Sequence, residues 1–168
     1  MAPNYITGQG ARRLQAEIVD LRQKQRPRIV SEVAEAAAQG DRSENAEYIY
    51  GKKKLREIDR RLHYLIKRLD SAVIVEPAQR PGGERGRVFF GATVTVSTVG
   101  GSPGSSDEEG AQATYQIVGE DEIDLRAGRI SYRSPLALAL MKRSVGDVVT
   151  FRRPSGEVEL EIVAIDYR

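Results

Sequence analysis

The stretch YIYGKKKLREIDRRLHYLIKRL (48–69) decides the fold. Tyr48, Gly51, Leu55, Ile58, Leu62, Leu65 and Leu69 are spaced 3-4-3-4-3-4, the a/d seam of a coiled coil. Gly51 is its weak point, since glycine costs about 1 kcal/mol relative to alanine inside a helix. A seam needs a partner, and the chain supplies one upstream. Leu14, Ile18 and Leu21 are spaced four and three, and past Gln25 the pattern loosens to Ile29, Val33, Ala36 and Ala37. Thr7 is placed to cap that helix, and Pro27 predicts a kink or break within it. Between the two patterns lies QGDRSE (39–44), with Gly40 suited to ending a helix. Two helices of about 30 residues joined by a short turn make an antiparallel hairpin roughly 45 Å long.

Downstream the period changes from helix to strand. Val88–Val96, Thr114–Val118, Val148–Phe151 and Val158–Ile165 are rich in β-branched and aromatic residues. Pro154-Ser155-Gly156-Glu157 is a hairpin turn between the last two. Ser134-Pro135 ahead of Leu136–Arg143 has the form of an N-cap and N1 proline opening a short helix. TVGGSPGSSDEEGAQ (98–112) reads as a long mobile loop with an acidic knot. The Pro/Gly-rich PAQRPGGERG (77–86) reads as a linker, so the expected organisation is a hairpin over 1–76 and a small α+β domain with an antiparallel sheet over 87–168. Charge divides the same way: residues 1–76 hold 15 Lys+Arg against 11 Asp+Glu, and residues 77–168 hold 11 against 13.

Composition excludes several chemistries. The 168 residues contain no Cys and a single His, His63, which rules out disulfide scaffolds, zinc fingers, thiol nucleophiles and His-rich metal sites. MAPNYITGQG shows no secretory signal and the aliphatic run Leu136–Met141 is too short to span a bilayer, so a soluble cytoplasmic protein without membrane contact is expected. A hairpin that pairs with itself has little reason to dimerise, and a monomer is expected.

Two features of the hairpin carry chemistry. At the tip, Asp41 and Glu44 stand three apart. As N-cap and N3 they satisfy a capping box, which closes two orphan N–H groups. They are also hard oxygen ligands for a divalent cation, but too few for a complete site, since Mg²⁺ keeps waters and is completed by phosphates. A catalytic tip would therefore be half of a site finished elsewhere. Along the second helix, Lys52, Lys53, Lys54, Arg56, Arg60, Arg61, Lys67 and Arg68 face only Glu57 and Asp59. Lys53, Arg60 and Lys67 share one heptad position, and Lys54, Arg61 and Arg68 share the next. That stripe is either a solvated face that keeps the hairpin soluble or a track for a phosphate backbone. Without interleaved aromatics, base-specific reading is not expected.

The residues GDRSENAEYIYGKKKLREIDRRLHYL (40–65), GRVFFGATV (86–94), IVGEDEI (117–123) and ISYRSPLALALMKRSVGDVV (130–149) resemble the bacterial Gre transcript-cleavage factors, a family of transcription elongation factors. The basic KKKLREIDRR run resembles its GreB branch, and the 98–112 loop is longer than usual for the family. The resemblance implies a coiled coil followed by an FKBP-like domain that binds bacterial RNA polymerase, with Ser134-Pro135 and the helix after it at the docking surface. It implies that the hairpin enters the polymerase's secondary channel, where Asp41 and Glu44 share a Mg²⁺ with the polymerase active site. Ser43 matches a tip residue that helps place the water attacking the backtracked nascent RNA. The basic stripe would hold the extruded RNA 3′ segment. On this reading the chain is not an enzyme by itself. Two other classes compete: a channel binder that regulates without cleavage, against which Asp41 and Glu44 argue, and an FKBP-like prolyl isomerase. The latter needs an aromatic-lined pocket, which three Phe, seven Tyr and no Trp make improbable. A generic nucleic-acid-binding coiled coil would explain the stripe and leave the tip unexplained.

Overall fold

The structure is a computed structural model and describes residues 3–40, 44–101 and 108–168. The chain divides into two compact units, one spanning Ala11–Ala72 and the other joining the residues up to Gly10 with Val73–Arg168. The division therefore does not fall at 77–86, and the first strand belongs with the C-terminal part.

The first arm of the hairpin is helical throughout: α1 (Gly8–Asp20), a π-helical turn (Leu21–Gln25) and α2 (Arg26–Ala38). Thr7 caps it, its Oγ1 accepting from the Gly10 N–H at 3.1 Å. The chain neither breaks nor caps at Pro27. Instead the Arg26 N–H reaches five residues back to the Leu21 carbonyl, a wider turn that relieves the clash between a proline ring and the preceding carbonyls. The wider turn also corrects the seam. From Leu21 to Ile29 is one residue more than a heptad, and the π turn absorbs it, so Leu14, Ile18, Leu21, Ile29 and Ala36 are all buried.

The second arm, α3 (Ala46–Asp70), buries Gly51, Ile58, Leu62 and Leu65 and half-buries Tyr48, Leu55 and Leu69. The expected seam is thus the packed face. Gly51 is there because the arms touch: a Cβ at this position would stand 2.5 Å from Val33 Cγ2. Ion pairs cross between the arms, among them Arg26–Asp59 at 2.8 Å and Arg61–Glu17 at 2.7 Å.

In the second unit β1 (Asn4–Thr7) pairs with β2 (Ala72–Val75). A five-stranded sheet runs in the order β5-β4-β3-β7-β6, from β3 (Thr93–Gly101), β4 (Gln112–Val118), β5 (Arg129–Ser131), β6 (Val148–Arg153) and β7 (Gly156–Asp166). It is not wholly antiparallel: β5 pairs parallel to β4, Gln116 opposite Arg129. Two 3₁₀ turns, Glu120–Glu122 and Leu125–Ala127, carry the chain back far enough for Arg129 to stand opposite Gln116, in the last part of β4. Residues 98–101 are not loop but the end of β3, paired to β7. Val88–Ala92 lie outside the strand, although Val88 and Ala92 are fully buried. A short helix, α4 (Pro135–Leu140), is capped by Ser134, whose hydroxyl accepts from the Ala137 N–H at 3.2 Å; Ala137 and Leu140 join the core over Val94, Ile117 and Ile162.

The segment 77–86 is folded onto this unit. Arg80 pairs with Glu84 at 2.9 Å, donates to the Phe90 carbonyl at 2.9 Å and lies over the rings of Phe89 and Tyr167. Glu122 is buried and accepts from the backbone and hydroxyl of Thr7 and from the Gly119 N–H, which ties the first strand to the turn after β4. At Lys142 (φ 66°) the N–H donates to the Val88 carbonyl while the Val88 N–H donates to Arg143, the pattern of a bulge whose first residue is ordinarily glycine.

Two substitutions test this packing in urea denaturation. Gly51→Ala should destabilise by about 1–3 kcal/mol through overpacking against Val33, although propensity alone would favour alanine. Lys142→Gly should stabilise by up to about 1 kcal/mol, because the left-handed backbone no longer opposes a Cβ.

Candidate functional site

The hairpin tip is built around Asn45. Its Oδ1 accepts from the Tyr48 N–H at 3.1 Å, and its Nδ2 donates to the Ala36 carbonyl at 2.7 Å. One carboxamide thus caps α3 and satisfies an end carbonyl of α2. A carboxylate cannot do both, because it has no donor at neutral pH. This corrects the expected capping box: the cap is Asn45, and Glu44 precedes the helix instead of occupying N3. Glu44 is exposed, and among the described residues it has no hydrogen-bond or ion-pair partner. Asp41 and Ser43 lie outside the described residues.

The basic residues of α3 separate into two groups. Lys54, Arg61 and Arg68 occupy the flank turned towards the first arm. Arg61 donates two hydrogen bonds to Glu17 and lies over the Tyr64 ring, Lys54 stands 3.9 Å from Glu57, and Arg68 is half-buried. Lys52, Lys53, Arg56, Arg60 and Lys67 are exposed, with no ion pair among the described residues. His63 is exposed beside them. Opposite the seam, then, a row of uncommitted cations faces solvent. Arg26, on the first arm, is spent on Asp59, whose hydrogen bond raises its pKa further.

The expectation that aromatics are absent from this face is wrong. Tyr50 and Tyr64 are 66% and 43% exposed. Residues 50, 53, 57, 60, 64 and 67 advance by 3-4-3-4-3, so both rings share a stripe with Lys53, Arg60 and Lys67. That periodicity was available in the sequence, but attention to charge alone hides it.

In the second unit, Ser134 and Pro135 open α4. A cavity of about 560 Å³ is lined by Tyr5, Phe89, Phe90, Arg80 and, from either side of α4 in the chain, Tyr132 and Met141, among others; Ser134 and Pro135 are not in its lining. Tyr5, Phe90 and Tyr132 make a ring triangle with centroids 5.5–5.7 Å apart. Scarcity of aromatics therefore does not prevent an aromatic-lined cavity: Tyr5, Phe89, Phe90 and Tyr132, four of the ten Phe and Tyr residues, line it. Among the described residues no group of three His, Cys, Asp or Glu side chains is arranged to hold a metal, and no helix is long and apolar enough to cross a membrane.

Comparison with known proteins gives a consistent result. Residues 4–74 match the family model for the N-terminal part of transcription elongation factors, and residues 83–167 match that for the GreA/GreB C-terminal part. The chain is 46% identical over 164 residues to the transcription elongation factor GreB of Neisseria meningitidis serogroup B, covering 98% of this chain and 94% of that one. It is 49% identical over 162 residues to GreB of Pseudomonas aeruginosa, covering 96% and 89%. The crystal structure of GreA factor homolog 1 (Gfh1) of Thermus thermophilus aligns over 98% of this chain and 99% of its own with 23% identity and a TM-score of 0.41, a likeness that carries no further argument.

The double role of Asn45 has a measurable signature. Asn45→Ala should cost about 1–2 kcal/mol and raise amide exchange at Tyr48. Asn45→Asp should keep the Tyr48 protection and lose only the bond to Ala36, so its denaturation midpoint should fall between the other two.

Proposed function

The chain belongs to the GreA/GreB family of transcription elongation factors, in its GreB branch, and on that premise we propose that it stimulates Mg²⁺-dependent hydrolysis of the backtracked nascent RNA 3′ end by bacterial RNA polymerase. As an elongation factor it acts with RNA polymerase. The cleavage reading goes further, and one observation supports it most: capping at the tip is delegated to Asn45, which leaves the Glu44 carboxylate exposed and without a partner among the described residues. A carboxylate at the end of a hairpin that is not used for the helix cap can bind something brought to it.

Glu44, together with Asp41, offers hard oxygen donors of the kind Mg²⁺ takes, and two of them suit an ion whose remaining ligands come from the polymerase and the RNA phosphate. Such an ion, when bound, lowers the pKa of an attacking water and offsets charge on the leaving oxygen. The chain's own part is to present the two carboxylates, with Ser43 orienting the water, at the end of a stiff helical pair. Lys53, Arg56, Arg60 and Lys67 would hold the phosphates of the extruded RNA. The chain on this proposal is no enzyme alone, works as a monomer and acts in the cytoplasm. The aromatic cavity, whose Tyr132 and Met141 flank the Ser134-Pro135 helix in the chain, is read as part of the polymerase-docking surface; resemblance to an isomerase fold does not by itself license that activity.

Glu44→Ala and Asp41→Ala should each abolish stimulated cleavage in stalled complexes while the affinity for polymerase changes by less than about twofold. Raised Mg²⁺ should partly rescue the single variants by mass action. Full cleavage by either variant at limiting Mg²⁺ would sink the ligand role. Binding of the wild type without any cleavage would favour the non-cleaving regulator.

A further inference from the structure

We infer that Tyr50 and Tyr64 make the solvent face of α3 a stacking platform for the unpaired bases of a single RNA strand, beside cations that hold its phosphates. The inference rests on the cleavage reading above and names how that site grips its RNA. Tyr50, Lys53, Glu57, Arg60, Tyr64 and Lys67 fall within a sector of about 100° on the helix, and the two rings stand about 21 Å apart along it. Phenol rings exposed to this degree serve no core. Alternation of exposed rings with uncommitted cations is the composition of a single-strand site, because every base has a π-face and every nucleotide a phosphate.

The surroundings sort rings from charges. Tyr50 borders a cleft of about 240 Å³ lined also by Glu32, Glu35 and Glu47. Those carboxylates repel a phosphate there but not the face of a base, so the backbone is steered towards Lys53. Arg61, fixed by Glu17, lies 5.5 Å from the Tyr64 centroid and presets that ring. Glu57, the acidic member of the stripe, is offset by Lys54 at 3.9 Å. An acidic protein segment would use the cations and leave both rings idle, so RNA is the better fit.

The experiment uses deeply backtracked polymerase complexes whose extruded RNA carries either normal or abasic nucleotides. With the wild type, abasic nucleotides should raise the factor concentration for half-maximal cleavage by at least about fivefold. Tyr50→Leu/Tyr64→Leu should lose that discrimination, Tyr50→Phe/Tyr64→Phe should keep it, and circular dichroism should show all of them folded. Lys53→Ala/Arg60→Ala should weaken both RNAs equally and flatten the salt dependence. Indifference of the wild type to abasic nucleotides, or an undiminished preference in the leucine variant, would overturn the inference and leave the cleavage reading standing. If no complex is cleaved at all, the cleavage reading fails. Anisotropy with a normal and an abasic adenosine oligomer then decides the inference: a preference for bases lost in the leucine variant supports it, and equal binding overturns it.

Discussion

One apolar seam must stay in register along both arms of the hairpin, and most of what the hairpin does depends on that. The first arm carries one residue too many between Leu21 and Ile29 for a heptad frame. An uninterrupted α-helix would swing Ile29, Val33 and Ala36 away from α3 by most of a quarter turn. The π turn at Leu21–Gln25 takes up the surplus where Pro27 already disfavours regular helix. Beyond it, Val33 packs on Gly51, and the arms are drawn together just short of the tip.

With the seam apolar and continuous, polar groups elsewhere on the hairpin are released from structural duty. Arg26, Arg61, Glu17 and Asp59 are among the exceptions, paired across the arms. Exposed pairs of this kind contribute little to stability, but they keep cations on one flank occupied and so define the other as open. Asn45 does the same at the tip, taking both end bonds on one side chain.

Much of the architecture is legible in the residues. The seam of α3, the Thr7 and Ser134 caps and the hairpin turn at Pro154-Ser155 follow from local spacing and capping chemistry, which act over a few residues. Where the reading departs from the structure, the cause is a long-range contact. Asn45 caps α3 because its amide also reaches Ala36, a partner that D-x-x-E spacing does not reveal. Arg80 turns a Pro/Gly-rich linker into a folded segment by finding Phe89, Phe90 and Tyr167. Residues 98–101 join β3 because β7 lies alongside. The aromatic cavity gathers Tyr5, Phe90 and Tyr132 from three distant parts of the chain. Of the tip, Glu44 was legible in kind, as a carboxylate on a turn, but not its release from capping.

The second unit draws its strands from both sides of the hairpin, with β1 before it and β2 after it. This has a consequence for how the protein is made on the ribosome. Asn4–Thr7 precede the hairpin in the chain, yet Glu122, which binds Thr7, is synthesised long afterwards, so the strand waits for β2 and for Glu122 while the hairpin emerges and folds on local contacts. Closure of the hairpin then removes most of the chain entropy that separates β1 from β2. The helical pair thus acts as a splint for the sheet domain during synthesis, and a lesion that slows its closure would delay assembly of a domain encoded almost entirely downstream.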